Sequence, residues 1–313
     1  PILAVVAALF FAAISGSGTA TVAAMGSILI PAMVAQGYDA GFSSALSAIS
    51  GSLGTVIPPS ITFIIYGMIT GESIGDLFLS GIVPGLIFGF MLCIMVFIKS
   101  KKNGWKGETQ RASLKEIGRL FLDTIWGLLS PVIVLGGIYS GLFTPTEAAA
   151  VAVVYSLIVG IFIYKELRLA ELKETLFSTA KTTGMILLII MNAGIFSWVL
   201  TQQGIAASLT EMALALTDNK YIMLVIINIV FLCAGCVMDN TSALYILVPI
   251  IMPIAKALDI NMIQLGVILV LNLSIGQVTP PVGPNLYVAA DIGKVKFEEI
   301  CRKMVPLLLM SLL

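Results

Sequence analysis

Histidine is absent from this chain of 313 residues, and charge is scarce: 17 basic and 17 acidic side chains amount to 11%. Without imidazole there are no His metal centres, His general bases or His proton relays. So little charge cannot clothe a soluble globule of this size, and it excludes a nucleic-acid binder and a disordered chain as well. Four cysteines are no framework for a small secreted disulfide fold. The formal net charge is zero, so any charge argument rests on where the charges lie. What is plentiful is apolar: 58% of residues, with a mean hydropathy of +1.06. The composition is that of an all-α integral membrane protein. Cys233 and Cys236 form a C-x-x-C inside the apolar stretch 231–237, with no second ligand pair, and are read as small residues packing in a bilayer.

A spanning helix needs about 20 apolar residues. Segments 77–98, 120–141, 146–164 and 182–200 qualify. Shorter runs flank polar tips: 2–14 and 20–36 around Ser15–Thr19, and 221–236 and 242–257 around Val237–Thr241. Runs 41–70 and 262–290 are interrupted at Gly54–Pro59 and Gly276–Pro281. A Pro-Pro pair cannot continue a helix, and unwound backbone at membrane depth survives only where protein or water surrounds it. Residues 166–181 are expected to form an interfacial amphipathic helix. Thr144-Pro145-Thr146-Glu147 predicts a capped helix start. Gly81, Gly85 and Gly89 share one helix face that allows close approach, by another part of the chain or by a partner subunit. The three tryptophans (Trp105, Trp126 and Trp198) are read as interface anchors. The first residues lack the basic start of a signal peptide, and both ends fall in apolar runs, so the chain reads as a piece of a longer protein.

The two interrupted stretches align without gaps. Pro58 pairs with Pro280 at an offset that also matches Thr19 with Thr241, Pro31 with Pro253, Ser52 with Ser274, Gly54 with Gly276, Pro59 with Pro281 and Gly71 with Gly293. The identities are few, but they are Pro, Gly, Ser and Thr at the breaks. Repeated interrupted helices are the sequence pointer to a secondary transporter with its site at the breaks. If each tip is a re-entrant hairpin, the two hairpins open on opposite faces, making the repeats inverted. Of the 17 basic residues, all but Lys220 and Lys256 then fall on one side, a set that includes Lys106 and Arg111. That side is expected to be cytoplasmic, with loops 99–119, 165–181 and 291–303 facing it. The expected organisation is a first transport repeat (1–76), scaffold helices with a cytoplasmic loop and amphipathic helix (77–220), a second transport repeat (221–298) and the start of a further helix (299–313).

The tips Ser17-Gly18-Thr19 and Asp239-Asn240-Thr241 each open a helix half with cap-forming residues. Helix N-termini suit an anion, while hydroxyls, amide oxygens and unwound carbonyls suit an alkali cation. Partners are expected from Ser52–Thr55 and Ser274–Gln277. Asp239 is the lone carboxylate at an inferred mid-membrane break, which makes it a sodium ligand, a proton carrier or a helix cap facing a wet cavity. No paired-carboxylate motif or nucleophile–base spacing points to an enzyme.

Several motifs resemble one family. Ser15–Pro31 followed by Gly54–Ser60, then Gly71–Gly85, Gly141–Ala149 and Thr279–Asn285, are similar to the large membrane subunit of tripartite ATP-independent periplasmic (TRAP) transporters. The likeness runs over nearly the whole chain. It implies an elevator-type, sodium-driven importer of organic acids such as C4-dicarboxylates or sialic acid, in the bacterial inner membrane. It implies a small membrane subunit and a soluble periplasmic binding protein as partners, and no cofactor beyond the coupling ion. By matching positions it implies sodium ligands at Ser15, Ser17, Thr19, Ser52, Gly54, Asp239, Thr241, Gly276 and Thr279. It implies substrate contacts at Gly18, Thr21, Pro58, Asn240 and Pro280. The first tip departs from the family's Ser-Asn-Thr pattern by carrying Gly18, so it has no side-chain amide. No Arg or Lys lies in the inferred core, which leaves carboxylate selection mostly to the soluble protein. The competing readings are a passive pore and a carboxylate carrier, sodium- or proton-coupled, that works alone.

Overall fold

The computed structural model describes residues 1–105 and 113–312, so Lys106, Arg111 and the middle of loop 99–119 lie outside the described residues. All regular structure among the described residues is helical, and seven helices are long and apolar enough to cross a membrane.

The order begins with α1 (Ile2–Ser15), α2 (Gly18–Ala35) and α3 (Ala40–Ser52). A single 3-10 turn, Leu53–Thr55, and an irregular stretch through the cis pair Pro58-Pro59 lead to α4 (Ile61–Thr70) and the long α5 (Ile74–Lys102). Next come α6 (Leu114–Tyr139), α7 (Pro145–Ile158) with a π-helical turn at Val159–Ile163, and α8 (Leu169–Gln202). The chain closes with α9 (Ile205–Leu216), α10 (Lys220–Val237), α11 (Asn240–Ala257), α12 (Met262–Gly276), a second cis pair at Pro280-Pro281, α13 (Pro284–Gly293) and α14 (Phe297–Ser311).

The duplication seen in the sequence is a duplication of elements. The offset of 222 residues between Ser52 and Ser274 carries both ends of α2 onto both ends of α11. It also sets Asp39 against Asn261. Each is an N-cap: Asp39 accepts from the Phe42 N–H, and Asn261 from the Gln264 N–H. The two helix breaks fall where Pro-Pro required them.

By compactness the described chain divides into two units. The first holds residues 1–107 and 196–313, and thus both copies of the repeat together with α5. Its centre is α3, buried from Gly41 to Ser52 on every side. Between helices in lipid the driving force is close packing and hydrogen bonding rather than escape from water, and small residues make close packing possible. Five serines and two glycines on α3 serve this: Gly51 lies on the Val22 backbone, and Ser47 fills the space at Gly26. The glycine face of α5 packs inside this unit, Gly81 on Phe63, Gly85 on Ile57 and Gly89 on Leu9. Trp105, three residues past the end of α5, packs against the rings of Tyr38 and Phe42.

The second unit, residues 108–195, is built on the α6–α7 pair. The capped start of α7 forms as the sequence predicts, with Thr144 and Glu147 bonded reciprocally. The Tyr155 hydroxyl donates to the Trp126 carbonyl (2.6 Å), and the Gly127 N–H donates to the Tyr164 hydroxyl (3.3 Å).

Two expectations need correction. From Leu169 onward, the amphipathic segment 166–181 and the span 182–200 are one continuous helix, α8, because nothing at Lys181-Thr182-Thr183-Gly184 breaks the backbone ladder. Residues 205–216, given no element from sequence, form α9, which packs against α11.

Candidate functional site

The first tip begins where Gly16 ends α1 in the left-handed conformation (φ 64°). Its carbonyl accepts from the Ile61 N–H (3.2 Å), tying the tip to the far side of its own helix break. Ser15, Ser17, Thr19 and Thr21 then close on one another. The Ser15 hydroxyl donates to the Ser17 carbonyl (2.9 Å) and accepts from the Ser17 N–H (3.2 Å). The Thr21 hydroxyl reaches the same carbonyl (2.7 Å) and Ser15 Oγ (2.9 Å), and Ser17 Oγ lies 3.4 Å from Thr19 Oγ1. Beneath them is Gly54, where a Cβ would lie 2.5 Å from Thr21 Oγ1 and 2.6 Å from the Ser17 carbonyl oxygen. Ser52 and Thr55 are buried at the break: Ser52 Oγ donates to the Ile49 carbonyl and Thr55 Oγ1 to the Ser52 carbonyl, both at 2.8 Å. Pro58 is buried beside them.

The second tip has the same outline and different chemistry. Asp239 is exposed and caps α11, accepting from the Ser242 N–H (3.1 Å) and the Ser242 hydroxyl (2.6 Å). Next to it, Asn240 is 5% exposed, and neither its Nδ2 nor its Oδ1 has a hydrogen-bond partner. Thr241 is half-buried. Break two lies directly against α10: a Cβ on Gly276 would meet the Gly235 Cα at 2.5 Å, and the Cys236 carbonyl accepts from the Val282 N–H (3.2 Å). The Thr279 hydroxyl donates to the Ile275 carbonyl (2.7 Å), and Pro280 is half-buried.

The two breaks meet. Ser274 Oγ donates to the Ser52 carbonyl (2.8 Å), so the bond joins residues that are each other's repeat partners. Around this point the structure gathers Gly18, Thr55, Gln277 and Asn285: a Cβ on Gly18 would overlap Gln277 Oε1 and lie 3.2 Å from Asn285 Nδ2 and 3.3 Å from Thr55 Cγ2. In the sequence, Asn285 stands out only as the end of the Thr279–Asn285 motif. The cue was available, a lone amide directly after Pro284 in apolar sequence, but not its neighbour at the opposite end of the chain.

A buried polar atom without a partner costs about 1–3 kcal/mol, and native folds keep few of them. Asn285 lies where the two breaks meet the start of α2, and Asn240 opens α11 at the second tip. The arrangement offers N–H groups and an amide donor to an anion, and carbonyl, hydroxyl and amide oxygens to a cation.

The family described as "Tripartite ATP-independent periplasmic transporter, DctM component" matches residues 1–313. The chain belongs to the DctM family. This is a family of transporter permeases rather than enzymes, and it places the chain as a multi-pass protein of the bacterial inner membrane. The chain is 43% identical over 304 residues to the isethionate TRAP transporter permease protein DctMQ of Oleidesulfovibrio alaskensis, covering 97% of this chain and 48% of that relative. It is 43% identical over 311 residues to the C4-dicarboxylate TRAP transporter large permease protein DctM of Pseudomonas aeruginosa, covering 99% of this chain and 73% of that one. It is 36% identical over 304 residues to the sialic acid TRAP transporter large permease protein SiaM of Vibrio cholerae, at 97% and 71% coverage. The chain thus spans about half of the first relative and just under three quarters of the others.

Proposed function

We propose that the chain is the translocating core of a sodium-coupled importer of an organic acid. One observation carries this: the buried, unpartnered amide of Asn240 at the start of α11. Its Nδ2 is a donor for a substrate carboxylate and its Oδ1 a ligand for an alkali cation, so one side chain can hold both members of the transported pair. Sharing a ligand makes each member's binding strengthen the other's, which is what coupling requires. The substrate class follows the relatives, whose names include C4-dicarboxylate, sialic acid and isethionate. On this reading the helix pairs α1–α2 and α10–α11 are re-entrant, the repeats are inverted, and the repeat-bearing helices move as an elevator against the scaffold. A small membrane subunit and a periplasmic binding protein complete the system.

Sodium in this reading is held by the residues already placed around the tips and breaks: Ser15, Ser17, Thr19, Ser52 and Gly54 on one side, Asp239, Thr241, Gly276 and Thr279 on the other. The Ser52 and Thr279 hydroxyls donate to the Ile49 and Ile275 carbonyls, which leaves their oxygen lone pairs for a cation, whereas the Ser52 carbonyl already accepts from Thr55 and Ser274. Substrate lies against Gly18, Thr21, Pro58, Asn240 and Pro280.

The test is uptake into proteoliposomes holding the full transporter with its binding protein. Replacing external sodium with choline at constant pH should abolish accumulation. Asn240→Ala should lower uptake by about tenfold or more, a loss of about 1.4 kcal/mol. It should leave the ligand-free melting temperature unchanged or higher, because an unpaired buried group has been removed. Uptake indifferent to sodium defeats the coupling. An Asn240→Ala variant that transports normally defeats the site.

A further inference from the structure

The two tips are repeat partners, yet only the second has an amide: Gly18 stands where its partner has Asn240. The space above Gly18 is not empty. Gln277 Oε1 and Asn285 Nδ2 occupy it, both from the second repeat. Asn285 is fully buried, and its Oδ1 has no partner. Its N–H donates to the Gln277 carbonyl (3.1 Å) and its Nδ2 to Gln277 Oε1 (3.5 Å), so the two side chains are held as a pair. Gln277 is the repeat partner of Thr55, whose hydroxyl is turned back onto Ser52. Gln277 is longer and brings an amide oxygen to the first tip, where Thr55 presents only its methyl group.

We infer that Gln277 and Asn285 complete a cation site at the first tip, Gln277 through the Oε1 beside Gly18 and Asn285 through its orphan Oδ1 next to the Nδ2 that faces Gly18. This rests on the sodium-coupled reading above. The ligand is a cation because the buried orphan at Asn285 is an acceptor, and the Gln277 atom beside Gly18 is an acceptor too. Neutral carbonyl oxygens in a water-poor setting bind alkali cations in place of hydration. The site accounts for an otherwise costly pair of features: a buried amide left unsatisfied, and a glycine at the one tip position where the repeat would place an asparagine.

The experiment is sodium-specific thermal stabilisation of the purified full-length transporter, titrating sodium chloride against potassium chloride at constant ionic strength without substrate. Asn285→Ala should raise the half-saturating sodium concentration about fivefold or more, and Asn285→Asp, equal in size but charged, should lower it about twofold or more. If Asn285→Ala does not fold, Asn285→Asp decides alone. Variants that lower the melting temperature in potassium yet leave the sodium concentration unmoved overturn the inference and make Asn285 a packing residue. A wild-type protein with no sodium-specific shift overturns the sodium reading itself, a distinct result visible before any variant is made.

Discussion

The first tip is lined with hydroxyls and the second with a carboxylate and an amide, although α2 and α11, which open from them, match residue for residue in length. In the first, Ser15, Ser17, Thr19 and Thr21 satisfy one another and the Ser17 carbonyl. In the second, Asp239 caps its own helix while Asn240 stays buried and unpaired. Duplication preserved what the backbone needs, the breaks and caps. It did not preserve which side chains are left over for a ligand. The first tip is self-sufficient in hydrogen bonds, and its unmet polar group comes from Asn285, on the other copy. The second carries its unmet group itself.

Removing the support under each tip should have the largest effect. Gly276 meets only backbone, that of Gly235, whereas Gly54 meets the Ser17 backbone carbonyl and the Thr21 hydroxyl. Gly276→Ala should therefore cost about 3 kcal/mol, at the upper end for overpacking, and Gly54→Ala less. Comparing the melting temperatures of the two variants checks this, and equal losses would mean the tips are held alike.

A smaller effect is expected at the caps. Asn caps a helix about as well as Asp, so Asp239→Asn should change stability by less than about 0.5 kcal/mol. It should nevertheless raise the sodium concentration for half-maximal uptake severalfold, because a carboxylate beside a cation has lost its charge. An unchanged sodium requirement in a normally folded variant leaves Asp239 a cap and nothing more.

The smallest effect separates the two base caps. Asp39 meets Lys303 at 3.1 Å, while its repeat partner Asn261 is neutral. Burial alone would raise the Asp39 carboxyl, but the Phe42 N–H and the Lys303 ammonium outweigh it and hold the carboxyl below its ordinary value. Its stabilisation is thus complete above about pH 4 and is lost as pH falls through the depressed folded value. With both side chains partly exposed, the pair contributes about 0.5 kcal/mol. Asp39→Asn should lower the melting temperature slightly near neutrality, and the gap from wild type should close in acid. A gap that widens in acid reverses the sign.

The repeat was legible because its markers are Pro-Pro pairs: Pro58-Pro59 and Pro280-Pro281 each interrupt the helix, whereas single prolines such as Pro31, Pro84 and Pro253 are carried inside one. Caps at Thr144 and Asp239 were legible because capping is local. The continuity of α8 was not, since the change from charged to apolar sequence near Lys181 resembles a boundary while helical hydrogen bonds ignore polarity. Nor was the pairing of Gly18 with Asn285, which no periodicity announces and only the meeting of the two breaks creates. The glycine face of α5 could be read but not its partner. Phe63, Ile57 and Leu9 supply the answer.

The unbroken α8 is also a ruler. Its 34 residues, at 1.5 Å each, extend about 51 Å, whereas a bilayer's hydrocarbon is about 30 Å thick. Tilting cannot hide the excess, because Glu171, Lys173, Glu174 and Lys181 all lie in its first half. From Lys181 to Gln202 the rise is about 32 Å, close to the hydrocarbon thickness. The lipid boundary is therefore set near those two residues. The first three turns stand clear of it as a rigid post about 18 Å long, so whatever meets Leu169 meets the protein well outside the membrane.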